Sequence, residues 1–243
     1  MNALQRLVLF SRLGEPAEPP EPGSATHFAV EIDEASQTAG LAFNFSVTAL
    51  DENELVDETY AGTVTFDATN PEFSSLPDDT TLTAGTGSFQ AIQKVKGLCD
   101  LTATDTVSPS ITGSDGITIL HDVPYEILVA ASTPQTQWEQ FGFLVSVVDQ
   151  FANICDTYDG AVDFESDADD DAVFAGEGPY AVAGGSDTFH VTFKVAGDFT
   201  ITATDTVTGS ITGTSDEIVI EPEEEESGFA GVPGQAFEGS VFI

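Results

Sequence analysis

The stretch LTATDTVSPSITG at residues 101–113 returns as ITATDTVTGSITG at 201–213. In each copy apolar residues alternate with threonine up to an aspartate. A turn built from Ser and Pro, or from Gly and Ser, follows, and Ile-Thr-Gly restarts the alternation. This is the pattern of a β-hairpin, two period-two segments joined by turn residues. Its return a hundred residues later means that one fold is written twice.

Outward from the hairpin the correspondence continues. Tyr60, Gly62, Val64 and Phe66 match Tyr158, Gly160, Val162 and Phe164, now with an offset of 98. The two-residue difference falls between Phe66 and Phe89, in a stretch rich in Pro, Asp and Ser that a loop can absorb. Phe43, Phe45, Val47 and Ala49 align with Phe141, Phe143, Val145 and Val147, each set a single face of a strand. A second face, Phe189, Val191, Phe193 and Val195, is matched by Phe89, Ala91, Gln93 and Val95, so Gln93 interrupts an otherwise apolar row. Cys99, Leu101 and Ala103 line up with Phe199, Ile201 and Ala203, and the closing strands carry Ile117 with Ile119 and Ile218 with Ile220. About seven strands per half, with turn residues between them and no sustained helical period, predict a β-sandwich for each. The register expectation is that Phe43, Phe45, Val64, Phe66 and Leu101 are buried, together with Phe141, Phe143, Val162, Phe164 and Ile201.

The expected organisation is all-β: two tandem Ig-like antiparallel sandwiches with extended tails. Residues 1–25 form an N-terminal peptide and Pro-rich linker, 26–122 the first domain, 123–221 the second, and 222–243 an acidic linker with an apolar C-terminal tail. At 243 residues the chain can bury two separate cores. Its 42 Asp and Glu against 5 Lys and Arg give a formal net charge of -37. Such a surface repels phosphate and anionic lipid, which excludes nucleic acid as a partner. No stretch reaches the roughly 18–20 apolar residues of a spanning helix, so membrane insertion is not expected.

The pattern VxALD at 47–51, YxGxVxF at 60–66, FxVxFKxxG at 189–197 and the closing ITATDTVTGSITG resembles the Ig-like repeats of large bacterial surface and adhesin-like proteins. Similar domains decorate phage capsids, tails and fibres. The resemblance covers roughly 26–220. It implies the fold and a role in spacing and display, and it brings no catalytic residues with it.

No nucleophile, zinc or phosphate-loop motif occurs, and His27, His121 and His190 stand apart from one another. No enzyme activity and no cofactor are expected. The acidic run Asp167, Asp169, Asp170 and Asp171 is the candidate for calcium, but it lacks the spacing of an EF-hand loop and reads as a solvated loop. Asp51 and Asp149 end equivalent strands, and Asp105 and Asp205 precede the hairpin turns, where aspartate caps backbone N–H groups. Tyr60 and Tyr158 read as core or corner residues. Cys99 and Cys155 fall at non-equivalent positions, so a bridge between them is not expected. The sequon Asn44-Phe45-Ser46 lies mid-strand.

Both tails carry apolar residues on polar tethers. Met1–Leu13 lacks a small-residue cleavage site and is not read as an export signal. Its Leu4, Leu7, Leu9, Phe10 and Leu13, with Arg6 and Arg12, are the expected partner-binding anchor, and Phe237, Val241 and Phe242 a secondary one. The expected function is a virion structural protein, a capsid decoration or head/tail fibre at the virion surface. Its expected partner is the major structural protein of a capsid, tail or filament, bound in many copies or as a homo-oligomer, with a host-surface glycan as a further ligand. The alternative is a cell-surface adhesin or extracellular appendage subunit of a bacterium or archaeon.

Overall fold

A computed structural model describes residues 23–224. The chain divides into two compact units, residues 1–122 and 123–243. Among the described residues no α-helix occurs; each unit is built of strands, with one 3-10 turn apiece, Pro71–Phe73 and Asp169–Asp171.

The first domain contains β1 (His27–Ile32), β2 (Ser36–Thr38), β3 (Ala42–Leu50), β4 (Thr63–Ala68), β5 (Ser74–Ser75), β6 (Thr80–Thr81), β7 (Thr86–Gln93), β8 (Gly97–Asp105) and β9 (Thr112–Leu120). One sheet runs β1-β3-β7-β5 and the other β2-β9-β8-β4-β6. All pairings are antiparallel except β2 with β9, where the chain leaves the first sheet after β1 and joins the second. Two sheets sharing an N-terminal strand in this way, over a common core, make an Ig-like sandwich. The fold expected from the alternation is therefore present.

The second domain repeats it with β10 (Glu126–Ala131), β11 (Gln135–Thr136), β12 (Gln140–Val148), β13 (Gly160–Ser166), β14 (Ala172–Phe174), β15 (Tyr180–Val182), β16 (Ser186–Phe193), β17 (Gly197–Phe199), β18 (Ile201–Asp205), β19 (Thr212–Thr214) and β20 (Ile218–Glu221). Its first sheet, β10-β12-β16-β14, copies that of the first domain. Its second is broken into β15-β13-β18-β19 and β11-β20-β17. The break has a cause in the sequence. Four residues lie between Gly213 and Ile218, against three between Gly113 and Ile117, so the closing strand carries one residue too many. The ladder opens there as a bulge. Ser215 closes the gap: its N–H donates to Ile201 O at 2.8 Å, and its hydroxyl accepts from Ile201 N at 3.0 Å.

The register is the expected one. Phe45 and Phe143 are each 1% exposed, and Phe43, Val64, Leu101, Phe141, Val162 and Ile201 are buried beside them. A slip by one residue would have turned each of these to solvent. Phe66 and Phe164 depart from the expectation and are only half-buried. The covering strand β6 pairs only with Thr63 and Val64, and β15 only with Gly160–Val162, so each phenylalanine lies beyond its cover. Other rings shelter it instead. Phe66 lies 4.8 Å from Phe89, and Phe164 lies 4.6 Å from Tyr180 and 4.9 Å from Phe189, centroid to centroid.

Gly113 and Gly213 explain why Ile-Thr-Gly recurs. In each domain the backbone of the closing strand crosses that of the first strand so closely that an added Cβ would sit 2.0 Å from Phe28 O, or 1.6 Å from Ile127 O. Only glycine allows that approach.

Candidate functional site

The repeated polar residues collect where the chain enters each sandwich, on the loop between β3 and β4 and on the β8–β9 hairpin, with equivalents in the second domain. In the first domain Asp51 Oδ1 accepts from Asn53 N at 2.8 Å and Leu55 N at 3.0 Å, and Oδ2 accepts from Gly23 N at 2.6 Å. Asp57 Oδ1 accepts from the hydroxyl of Thr59 at 2.6 Å and its N–H at 3.0 Å, while Oδ2 accepts from Ala25 N at 3.0 Å. These two carboxylates thus clamp the incoming chain by two backbone N–H groups. The Gly23 N–H first, then Leu55 and Asn53, hold Asp51 below the usual carboxylate range; the Thr59 hydroxyl does most to lower Asp57.

The second domain keeps the turn. Asp149 Oδ1 accepts from Phe151 N and Asn153 N, and Oδ2 from Asn153 Nδ2. Cys155 stands where Asp57 does: each donates its N–H to the β3-type strand, at Ala49 O and Val147 O respectively. Thr26 N and Tyr125 N likewise bond the equivalent carbonyls of Leu50 and Val148, which places Pro124 opposite Ala25. Proline has no N–H to hold, so no carboxylate is needed there. Neither cysteine forms a disulfide.

The hairpin is braced from beneath. Asp105 Oδ1 accepts from Val107 N at 2.7 Å and Ser108 N at 2.6 Å, and its Oδ2 accepts the Tyr60 hydroxyl. Asp205 does the same with Val207 N, Thr208 N and the Tyr158 hydroxyl. Burial alone would raise both carboxyls, but the tyrosine hydroxyl and the two N–H groups outweigh it and hold them low. Burial, reinforced by the facing carboxylate, pushes both tyrosines well above their ordinary range. Above each brace the loop tip carries a valine, Val107 at 86% and Val207 at 91% exposure, the two most exposed large apolar side chains among the described residues.

The aspartates expected to cap turns do so, and the tyrosines, expected as core or corner residues, lie half-buried with their hydroxyls on Asp105 and Asp205 beneath the hairpin. Sequence reasoning did not pair Tyr60 with Asp105, although both recur at matched positions. The histidines stay separate: His27 Nε2 meets Glu54 at 3.4 Å, His121 Nδ1 lies 2.6 Å from Asp122 O, and His190 is exposed on its sheet. In the acidic run, Asp167 Oδ1 accepts from Thr200 N at 2.7 Å, and the carbonyls of Asp170 and Asp171 accept from Lys194 Nζ and N. Among the described residues no group of three His, Cys, Asp or Glu side chains could hold a metal ion. The anchor residues Leu4, Arg6, Leu7, Leu9, Phe10, Arg12 and Leu13, and Phe237, Val241 and Phe242, lie outside the described residues.

No protein-family model matches the chain, and no curated protein does. Among solved structures the chain is similar to the adhesin FdeC of Escherichia coli, at 12% identity and a TM-score of 0.43, over 82% of this chain and 66% of that one. It is similar to the adhesin InvE of Yersinia pseudotuberculosis at 14% identity and a TM-score of 0.40, over 82% of this chain and 60% of that one. It is also similar to domains 4 and 5 of the S-layer protein SbsC, at 18% identity and a TM-score of 0.33, over 82% and 99%. The chain thus spans less than two thirds of the two adhesins it is compared with. The strand order and register described above make this chain a tandem pair of Ig-like β-sandwiches.

Proposed function

We propose that this chain is a non-enzymatic spacing and display segment of a cell-surface protein, whose two sandwiches hold their hairpin tips out for contact with other proteins. The observation that carries this reading is the repeated brace: in both domains a buried aspartate and a half-buried tyrosine fix a loop that turns a valine to solvent. An exposed valine on a rigid loop loses little freedom when it docks, which is how preorganised contacts gain affinity. The net charge of -37 suits a soluble exterior surface and discourages non-specific association. The buried carboxylates, Asp51, Asp57, Asp105, Asp149 and Asp205, are engaged by backbone N–H groups.

The virion reading rests on the terminal anchor peptides, and no described residue favours it over the cell surface. Protease shaving and antibody labelling of intact cells, set against purified particles from the same culture, test the choice. Labelling of intact cells supports the proposal. Recovery of the chain only in particles sinks it.

A further inference from the structure

In the first domain Gln93 and Cys99 occupy the places that Phe193 and Phe199 fill in the second. The two phenylalanine rings stack with centroids 5.3 Å apart and planes 10° from parallel. Both members of the pair differ between the domains together: an apolar stack in one is a carboxamide and a thiol in the other. Gln93 and Cys99 are each 2% exposed. The carboxamide is gripped on every side. Its Oε1 accepts from Lys94 N at 2.7 Å and Val95 N at 3.0 Å. Its Nε2 donates to Thr69 O at 2.6 Å and Ser74 Oγ at 2.8 Å, and lies 3.8 Å from Cys99 Sγ. Two successive backbone N–H groups on one carbonyl oxygen are the donors that an oxyanion requires. The thiol lies beside Nε2, the atom that would leave, while the two N–H groups hold the oxygen of the same carboxamide in a site closed to water; these are parts that acyl transfer needs.

We propose that Cys99 and Gln93 close an internal thioester, a covalent staple between the two sheets of the first domain. The Cys99 sulfur bonds to Gln93 Cδ, the Cδ–Nε2 bond breaks, and the thiol proton leaves with the nitrogen as ammonia. No oxidant, metal or cofactor is consumed. The N–H groups of Lys94 and Val95 hold the oxygen while it carries the charge of the tetrahedral intermediate. Ammonia escapes to bulk solvent and draws the reaction forward. Burial pushes the Cys99 thiol up, so the rate comes from proximity, where effective concentrations on the order of 10⁵ M are available to well-oriented groups. The same burial shields the product from hydrolysis, so the bond persists as a staple. Gln93 ends β7 in the first sheet and Cys99 lies in β8 of the second. The second domain has a ring stack at this place and no such chemistry.

Intact-mass measurement and thiol titration of the full chain in denaturant read the bond directly. The expected result is a mass one ammonia below the sequence value, and one titratable thiol from the two cysteines. Hydroxylamine should open the bond, free the second thiol and leave a hydroxamate at Gln93. The Cys99→Ala chain should show its full mass; a deficit that survives this substitution belongs to another residue and overturns the assignment. If the substituted chain does not fold, the unsubstituted chain decides alone: full mass with both thiols titratable overturns the proposal.

Discussion

The Tyr60 hydroxyl donates to the Asp105 carboxylate across forty-five residues of sequence, and Tyr158 makes the same bond to Asp205. The pair ties the loop after β3 to the hairpin after β8. It leaves the other carboxylate oxygen to fix the tip that carries Val107 or Val207. Tyr60 also packs its ring edge-on to Phe28 at 5.6 Å, so one side chain serves both the core and the brace.

Tyr158→Phe keeps the ring and removes the hydroxyl, leaving a buried carboxylate short of one donor. The expected loss is about 1–3 kcal/mol of stability for an unsatisfied buried group, read from urea unfolding of the second domain. Backbone amide exchange at Val207 and Thr208 should quicken in the same variant. Unchanged exchange there would show that the brace does not hold the tip.

Stability should depend on pH in two opposing ways. Asp57, Asp105 and Asp205 are lowered in the folded state. Their contribution is therefore full above the unfolded carboxylate value of about 3.9, and is lost as pH falls through the lower folded values. Between neutrality and about pH 5 the first protons relieve the repulsion of an excess of acids, which acts the other way. The urea midpoint should rise on mild acidification and then fall below about pH 4, and added salt should raise it at pH 7. Asp205→Asn should soften the acid-side fall.

Gly113→Ala and Gly213→Ala should each cost roughly 2 kcal/mol or more, because a methyl group there forces two backbones apart. Gly209→Ala is the matched control, since nothing lies within 4 Å of its would-be Cβ. It should stay within about 0.5 kcal/mol of the parent. Thermal unfolding of the three variants side by side makes the comparison; equal shifts would refute the close-approach account.

Asp57→Ala should free the Ala25 N–H and raise its exchange rate and the cleavage of the chain just before β1. Cys155→Ala should leave exchange at Tyr125 as it was, because Pro124 offers no N–H to lose.

Val107→Asp and Val207→Asp replace highly exposed side chains and should change stability by less than about 0.5 kcal/mol. Adherence of cells that display the chain should fall, and most when both are changed. Retention of full adherence by the double variant would move the contact surface away from the hairpin tips.

The sequence alone determined the strands, their inward faces and the doubling of the fold. Period-two alternation is a local property, and the second copy checks each assignment in the first. Phe45 and Phe143 face inward for that reason. The sequence also marked Asp51, Asp105 and their equivalents as turn caps, because an aspartate reaches its own neighbours' N–H groups. What the tertiary structure decided involves residues far apart in the chain. The pairing of Tyr60 with Asp105, the clamp of Asp57 on Ala25 and the approach of Gly113 to Phe28 depend on which loops and strands meet when two sheets close on each other. Gln93 shows the difference most clearly. In sequence it is a polar break in an apolar row, whereas in the fold it is a buried carboxamide with every polar atom bonded, set against Cys99 where the other domain stacks two rings. The half-exposure of Phe66 and Phe164 belongs to the same class, because a strand's own alternation cannot say where the neighbouring strand that covers it will end.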